Sequence, residues 1–280
     1  MKIGGYELHA IETGRFGLDG GAMFGIVPKP LWSKLIPPDE RNRIELAARS
    51  LLIVGRGKTI LVDNGNGSKF TQKQADIYRL DNSAFDLKRS LALHGCAASD
   101  ITDVILTHLH FDHAGGSTFL EDGKLKLTFP RARYYVQKAH WERALHPGEK
   151  DRGSFMQDDF IPLRDFGVLE LVEGEFELFP DISLLVLNGH TTALQLPKIS
   201  DGKKTLLYCC DLFPTTSHIP LPYIMAYDLR PLDTLEEKKR ILGRTLDENW
   251  ILFFEHDARI AACRVKQTER GIGFDSAVEL

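Results

Sequence analysis

The sequence predicts an α/β (α+β) protein in which two similar β-sheets pack face to face with helices outside. Three observations carry this reading. Short apolar runs bounded by glycine and turn residues recur along the chain. Several alternate with segments of helical spacing. The two halves share one rhythm, hairpin strands first and strand–helix units after. At 280 residues the chain is long for one core but fits a single multilayer domain over 1–280.

Tyr6–Thr13 alternates weakly and reads as a first strand. Residues 17–40 are rich in Gly and Pro yet hold Met23, Phe24, Ile26, Val27, Leu31 and Trp32, so they form an N-terminal loop extension rather than a solvated linker. "RSLLIVG" and "KTILVDNG", separated by Arg56-Gly57, read as a buried hairpin. Residues 86–95 have helical spacing, with Leu87, Leu91 and Leu93 apolar and a stop at Gly95. "ITDVILTH" is a buried strand that delivers Thr107 and His108 at its end. "RARYYVQ" is a strand and "KAHWERALH" a helix ending before Pro147. Residues 147–168 are aperiodic and hold Phe155, Met156, Phe160 and Phe166, a long structured loop of the kind that forms lids. "ISLLVLNGH", "LQLPKIS" and "KTLLYCCD" read as strands, the last two joined at Asp201-Gly202. "DTLEEKKRILGRTLDEN" is an amphipathic helix, "WILFFEHD" a buried strand, and "IAACRVK" the last substantial strand.

Composition excludes several function classes. A net charge of −4 and a pI near 6.2 leave no basic footprint for nucleic acid. No apolar run reaches the ~18 residues of a membrane-spanning helix, and the N-terminus has no apolar signal region. Cys96, Cys209, Cys210 and Cys263 lack framework-like spacing, so they read as reduced core thiols of a cytoplasmic protein.

The chemistry concentrates in "THLHFDHAGG" at positions 107–116. His108 and His110 straddle one residue, so at an extended strand end both imidazoles point the same way and can reach one ion. Asp112 and His113 follow where the chain turns into a helix and can serve a second ion close by. Two ions need further donors, since a zinc site takes about four ligands. Three candidates each sit just after an apolar strand: His190, Asp211 and His256.

These residues resemble the metallo-β-lactamase superfamily, from "TILVDNG" through "FFEHD", in order and rough spacing. That family's four-layer αβ/βα sandwich, two mixed β-sheets flanked by helices, fits the rhythm above. The resemblance implies that His108, His110 and His190 bind a first metal, that Asp112, His113 and His256 bind a second, and that Asp211 bridges them. It implies two divalent ions; the imidazole-rich set suits zinc, with manganese, cobalt or iron as alternatives. Asp63 matches an acidic position near the site and reads either as a support for it or as a cap of its own turn. "GGAMFGIVPKPLW" and "LPYIMAYD" are similar to the group of acyl-homoserine lactonases and methyl-parathion-hydrolase-like enzymes. Two positions depart from that pattern: Thr192-Ala193 replace Pro-Gly after His190, and Pro214 stands where many lactonases have tyrosine.

The implied activity is hydrolysis of an ester or lactone, an acyl-homoserine lactone among the candidates, by a hydroxide shared between two metals. The alternatives are a phosphotriester hydrolase and a non-catalytic metal-containing sensor of a small ligand. Asp112, Asp211 and His218 are the expected catalytic residues, His218 by orienting substrate or moving protons. The expected partner is a neutral, partly apolar small molecule held against Met23, Phe24, Ile26, Phe155 and Phe160, with no nucleic acid or membrane partner. A homodimer contact is the other role open to the N-terminal stretch. His9, His94, His140 and His146 read as structural or surface residues.

Overall fold

The computed structural model describes all 280 residues. One seven-stranded sheet begins with β1 (Lys2–Ile3), β2 (Tyr6–Asp19), β3 (Arg43–Gly55), β4 (Lys58–Val62) and β5 (Asp103–Ile105). A separate hairpin, β6 (Thr118–Glu121) and β7 (Lys124–Leu127), precedes its last strands, β8 (Arg133–Gln137) and β9 (Leu169–Val172). The second seven-stranded sheet runs in chain order through β10 (Phe176–Phe179), β11 (Ile182–Leu187), β12 (Leu194–Ser200), β13 (Thr205–Tyr208), β14 (Ile251–Phe253), β15 (Ala262–Thr268) and β16 (Gly271–Ala277). Both sheets are mixed, as expected: β4, β5, β8 and β9 pair in parallel, β13 pairs in parallel with β14, and the other neighbours are antiparallel.

Parallel neighbours need long crossovers, and these carry the helices. After α1 (Gly20–Phe24) and α2 (Lys29–Trp32), helices α3 (Gln72–Tyr78) and α4 (Leu87–Leu93) link β4 to β5. The short α5 (Phe111–Ala114) follows β5. Helices α6 (Lys138–Leu145) and α7 (Gln157–Asp165) link β8 to β9, and α8 (Pro231–Asp247) links β13 to β14.

The continuous apolar run of β3 follows from burial on both faces. Leu51 and Ile53 join the inter-sheet core with Ile60, Val62, Leu184, Leu196, Leu206 and Phe253. Their alternates, Leu52 and Leu61, pack outward with Val104, Trp141 and Phe160 under the helices. Side chains alternate with period two along a strand, so each run feeds two cores at once.

The elements differ from expectation in several places, the unforeseen strands β6, β7, β9 and β10 among them. Residues 17–40 are ordered: β2 continues to Asp19, α1 and α2 follow, and the rings of Phe24 and Trp32 stack at 5.5 Å. The 147–168 segment contains α7, whose pattern is masked by an internal proline, Pro162, and by a buried acid, Asp159, that pairs with Lys69 at 3.0 Å. Helix α3 buries no residue, so it has no apolar stripe to read; Thr71 and Gln74 close its N-terminus with a capping box. Strand β16 follows β15 at the sheet edge, mostly exposed and without a continuous apolar run.

Candidate metal centre

The C-terminal ends of β4, β5, β13 and β14 and the turn after β11 meet at one rim. Beyond β5, residues 106–110 leave the strand end with bends at Thr107 and His110, and α5 starts at Phe111. His108 Nε2 and His110 Nδ1 lie 2.9 Å apart, and His110 Nδ1 is 3.2 Å from His190 Nε2. His190 Nε2 in turn is 3.0 Å from Asp211 Oδ2. On the other side, His256 Nε2 is 3.2 Å from His113 Nε2 and 3.2 Å from Asp211 Oδ1. Asp112 completes that side, with Oδ2 3.7 Å from His256 Nε2 and Oδ1 3.9 Å from His113 Nε2. Seven residues thus form two groups, His108/His110/His190 and Asp112/His113/His256, with Asp211 between them: its Oδ2 faces His190 and, at 3.5 Å, His113 Nε2, and its Oδ1 faces His256.

The glycines after His113 explain how the turn is seated. A Cβ on Gly115 would lie 2.2 Å from Asn66 O, and one on Gly116 2.2 Å from Asn64 O. The ligand turn therefore packs backbone to backbone on the loop after β4. That loop brings Asp63, at φ +53°, under the site. Asp63 accepts hydrogen bonds from Thr107 N and Thr107 Oγ1, both at 2.7 Å, and its Oδ2 lies 3.1 Å from His113 Nδ1. Asp63 is a support for the ligands, not merely a cap of its own turn.

The outward nitrogens of the histidines are engaged, and this fixes what faces inward. His190 Nδ1 donates to Asp228 Oδ1 at 2.9 Å, and His256 Nδ1 donates to Ala47 O at 2.9 Å. His113 Nδ1 faces Asp63 and, at 2.8 Å, Glu255 Oε2. Burial pushes the Glu255 carboxyl up to about 8. With Nδ1 engaged outward, each of these rings turns its Nε2 toward the centre. Burial and neighbouring imidazoles hold His108 and His110 well below the usual histidine range, so both are neutral. Burial opposes protonation of His190 too, but Asp211 and Asp228 outweigh it and raise the group to about 10. Although burial opposes it, His190 and His113 hold Asp211 well below the usual carboxylate range. Protonated imidazoles gathered on one ionised carboxylate mark a place where a divalent cation would take over the charge the protons carry. Asp211 Oδ1, buried without a hydrogen-bond partner, fits the same reading. The donor set of imidazole nitrogen and carboxylate oxygen suits zinc and other first-row divalent ions.

Five of the seven, His110, Asp112, His190, Asp211 and His256, form part of the base of a cavity of about 270 Å³. Its walls differ from those expected. Met23 lines it, but Phe24 is buried between Trp32 and His218, Phe160 packs on Trp141 in the outer core, and Ile26 is 90% exposed. Phe155 stands behind the ligands, its ring 4.8 Å from that of His110. His218 is corrected as a catalytic residue: it is fully buried, its Nδ1 accepts from Thr215 Oγ1 at 2.8 Å, and its Nε2 donates to Met23 O at 2.9 Å. With both nitrogens taken, it positions the Met23 turn. Four residues on or behind the wall were not foreseen: Tyr78, Tyr227, Lys150 and Asp228. Tyr227 and Asp228 belong to "LPYIMAYD", but nothing in that stretch marks which side chains face the ligands.

A sandwich of two mixed sheets with a two-lobed histidine–aspartate cluster at one rim defines a class of metal-dependent protein. The chain belongs to the metallo-beta-lactamase superfamily, whose family model matches residues 43–256. It is 29% identical over 175 residues to an N-acyl homoserine lactonase of Bacillus thuringiensis. That match covers 61% of this chain and 62% of the relative, so the chain spans about three-fifths of that relative's length. Among solved structures, a probable metal-dependent hydrolase from Staphylococcus aureus superposes with a TM-score of 0.91 at 30% identity, covering 100% of this chain and 99% of the other. The dizinc quorum-quenching lactonase AidC, bound to a hexanoyl-homoserine product, superposes at 0.81 with 23% identity, covering 100% and 97%, and shows the shared fold.

Proposed function

We propose that this protein is a metal-dependent hydrolase that cleaves an ester or lactone in a small molecule. The observation that carries the reading is the convergence of two histidine-rich groups on the two oxygens of Asp211 in the base of an open cavity. His108, His110 and His190 would hold one divalent ion, Asp112, His113 and His256 a second, and Asp211 would touch both. Such ions, zinc by preference, make water nucleophilic at neutral pH and polarise the oxygen under attack.

The chain's own residues do the rest. Asp228, Asp63 and the carbonyl of Ala47 fix the tautomer and tilt of His190, His113 and His256. Asp112 lines the cavity and is placed to accept the proton of the attacking water and pass it to the leaving alkoxide. Tyr227 and Tyr78 line the same cavity as protonated phenols, both raised chiefly by burial, with the charge of Asp112 contributing. Neither hydroxyl is engaged within the protein, so each can donate to the oxygen of a bound acyl group. They offer the donor that Pro214 cannot. One C–O bond forms at the acyl carbon, the ester C–O bond breaks, and the products are a carboxylate and an alcohol.

No cysteine is needed as nucleophile. Burial holds the thiols of Cys209 and Cys210 well above their ordinary value, and all four cysteines are unpaired and buried, which also supports a reducing, cytoplasmic setting. The relatives named N-acyl homoserine lactonases support lactones as the first substrates to try. The test is a hydrolysis screen of zinc-loaded protein across lactones, aryl esters, phosphotriesters and β-lactams. Turnover of lactones or aryl esters that stops on chelation is expected. Turnover confined to phosphotriesters or β-lactams would move the substrate class, and stoichiometric metal with no turnover would favour the sensor.

A further inference from the structure

The loop between α6 and α7 carries three cations and two acids: Arg143 at the end of α6, then Glu149, Lys150, Asp151 and Arg152. Four of these five charges pair off. Arg143 clamps Asp151 through Nε at 2.9 Å and Nη2 at 2.7 Å, and Gly148 N takes an Asp151 oxygen at 2.8 Å. Arg152 pairs with Glu149 at 3.2 Å. Lys150 has no carboxylate partner. It turns across the mouth of the metal cavity instead, and its ammonium donates to the backbone carbonyl of Asp228.

That contact places the ammonium close to the reacting region. Asp228 is the residue whose carboxylate holds His190 Nδ1, and His190 Nε2 touches Asp211. The carbonyl takes one N–H of Lys150, and an ammonium has three. A ligand seated over the ligand cluster therefore meets a fixed cation with unused donors on the wall beside His190. Ser154 lies on the same stretch of wall. The expectation of a neutral substrate rested on Met23, Phe24, Phe155 and Phe160 forming this wall, and of the four only Met23 lines the cavity.

We propose that Lys150 is a specificity-determining residue that seats an anionic group, a carboxylate or a phosphate, on the part of the substrate that lies beyond the scissile bond. This rests on the hydrolase reading and deepens it by naming the charge of the preferred substrate. The ammonium is partly exposed, so its effect is set by a screened ion pair: about fivefold in affinity, the upper end for pairs of that kind.

The experiment uses two esters of closely similar length, 4-nitrophenyl hemiglutarate and 4-nitrophenyl hexanoate, with zinc-loaded protein at low salt. The expected ratio of kcat/KM, anionic over neutral, is about five for the wild type, carried by KM. Lys150→Met should bring the ratio to about one, and Lys150→Glu should bring it below one. A ratio that Lys150→Met leaves unchanged overturns the proposal. So does an equal fall for both esters, which would make Lys150 only a latch between the 148–154 and 225–229 loops. A second readout needs no turnover: calorimetry of glutarate against valerate, which differ by one carboxylate. Glutarate should bind the wild type about fivefold tighter, and Lys150→Met should erase the difference. Lys150-dependent glutarate binding without ester turnover would refute the hydrolase and keep the anion seat. Turnover with no such preference would do the reverse.

Discussion

The hydrogen bond from His190 to Asp228 offers a direct test of how the site holds a metal. Asp228 is 1% exposed, and its Oδ1 lies 2.9 Å from His190 Nδ1. Asp228→Ala removes a buried, charge-assisted hydrogen bond, which contributes about 1.5–3 kcal/mol. The imidazole then loses both the fixed tautomer and part of its basicity, and the expected cost to metal affinity is about 10–100-fold. The structure says which ion should suffer. His190 belongs with His108 and His110, while His113 and His256 are held by Asp63 and Ala47 and keep their partners. Competition with a chromophoric zinc chelator should therefore show one site weakened by one to two orders of magnitude and the other nearly unchanged. Asp228→Asn keeps an acceptor in place and loses only the charge, so it should fall between wild type and Asp228→Ala. The backbone carbonyl that receives Lys150 survives both changes. Two sites weakened equally, or none, would refute the division of the ligands into two groups.

Three further outcomes are expected. Asp211→Ala should lower bound zinc from about two ions per chain to less than one, whereas His256→Ala should leave about one; elemental analysis that finds both ions in Asp211→Ala would end the bridging assignment. Tyr227→Phe should lower kcat for the preferred ester or lactone by about tenfold, the loss of one hydrogen bond to developing charge, with zinc content unaltered; an unchanged kcat would remove the phenol from the reaction. His140 is fully buried, its Nδ1 donating to Thr192 O and its Nε2 accepting from Leu109 N, both at 2.8 Å, and burial pulls its pKa down to about 4. The unfolded chain, with a histidine near 6.5, binds the extra proton between pH 6.5 and 4, so the fold loses about 3 kcal/mol as pH falls through that window. The stability gap between wild type and His140→Gln should narrow accordingly from pH 7 to pH 4.5, and a constant gap in urea melts would contradict the assignment.

The fold was legible where burial imposes a period. β3 and β4 announce themselves because alternate residues feed two different cores, so no polar position interrupts the run. Helix α3 and strand β16 were invisible for the opposite reason: they lie at the surface and need no apolar pattern. Helix α7 carries Pro162 and buries Asp159 against Lys69, so its sequence hides its period. Residues 17–40 read as loop because Gly and Pro dominate them, although Trp32 and Phe24 stack there and the Met23 turn is held by His218.

The candidate ligands could be read while the wall around them could not, and the difference is chemical. A metal accepts few residue types, and an open site is built at strand ends, so His190, Asp211 and His256 stand out by type and position together. A wall asks only for shape and a few polar atoms. Large aromatics gain most from complete burial, so Phe24 and Phe160 went to the cores rather than to the cavity. Tyr78, Lys150 and Tyr227 come instead from three segments far apart in sequence, with no period relating them. One signal did lie in plain view. "DNGNG" and "HAGG" are glycine-rich stretches that follow two neighbouring parallel strands. A Cβ on Gly67 would sit 2.1 Å from Gly115 O, and one on Gly115 would sit 2.2 Å from Asn66 O, so the two loops touch through backbone alone. Two glycine-rich loops after adjacent parallel strands imply such a contact. That contact brings Asp63 to Thr107 and His113, which makes an acid at that position a support for the ligands before any metal is considered.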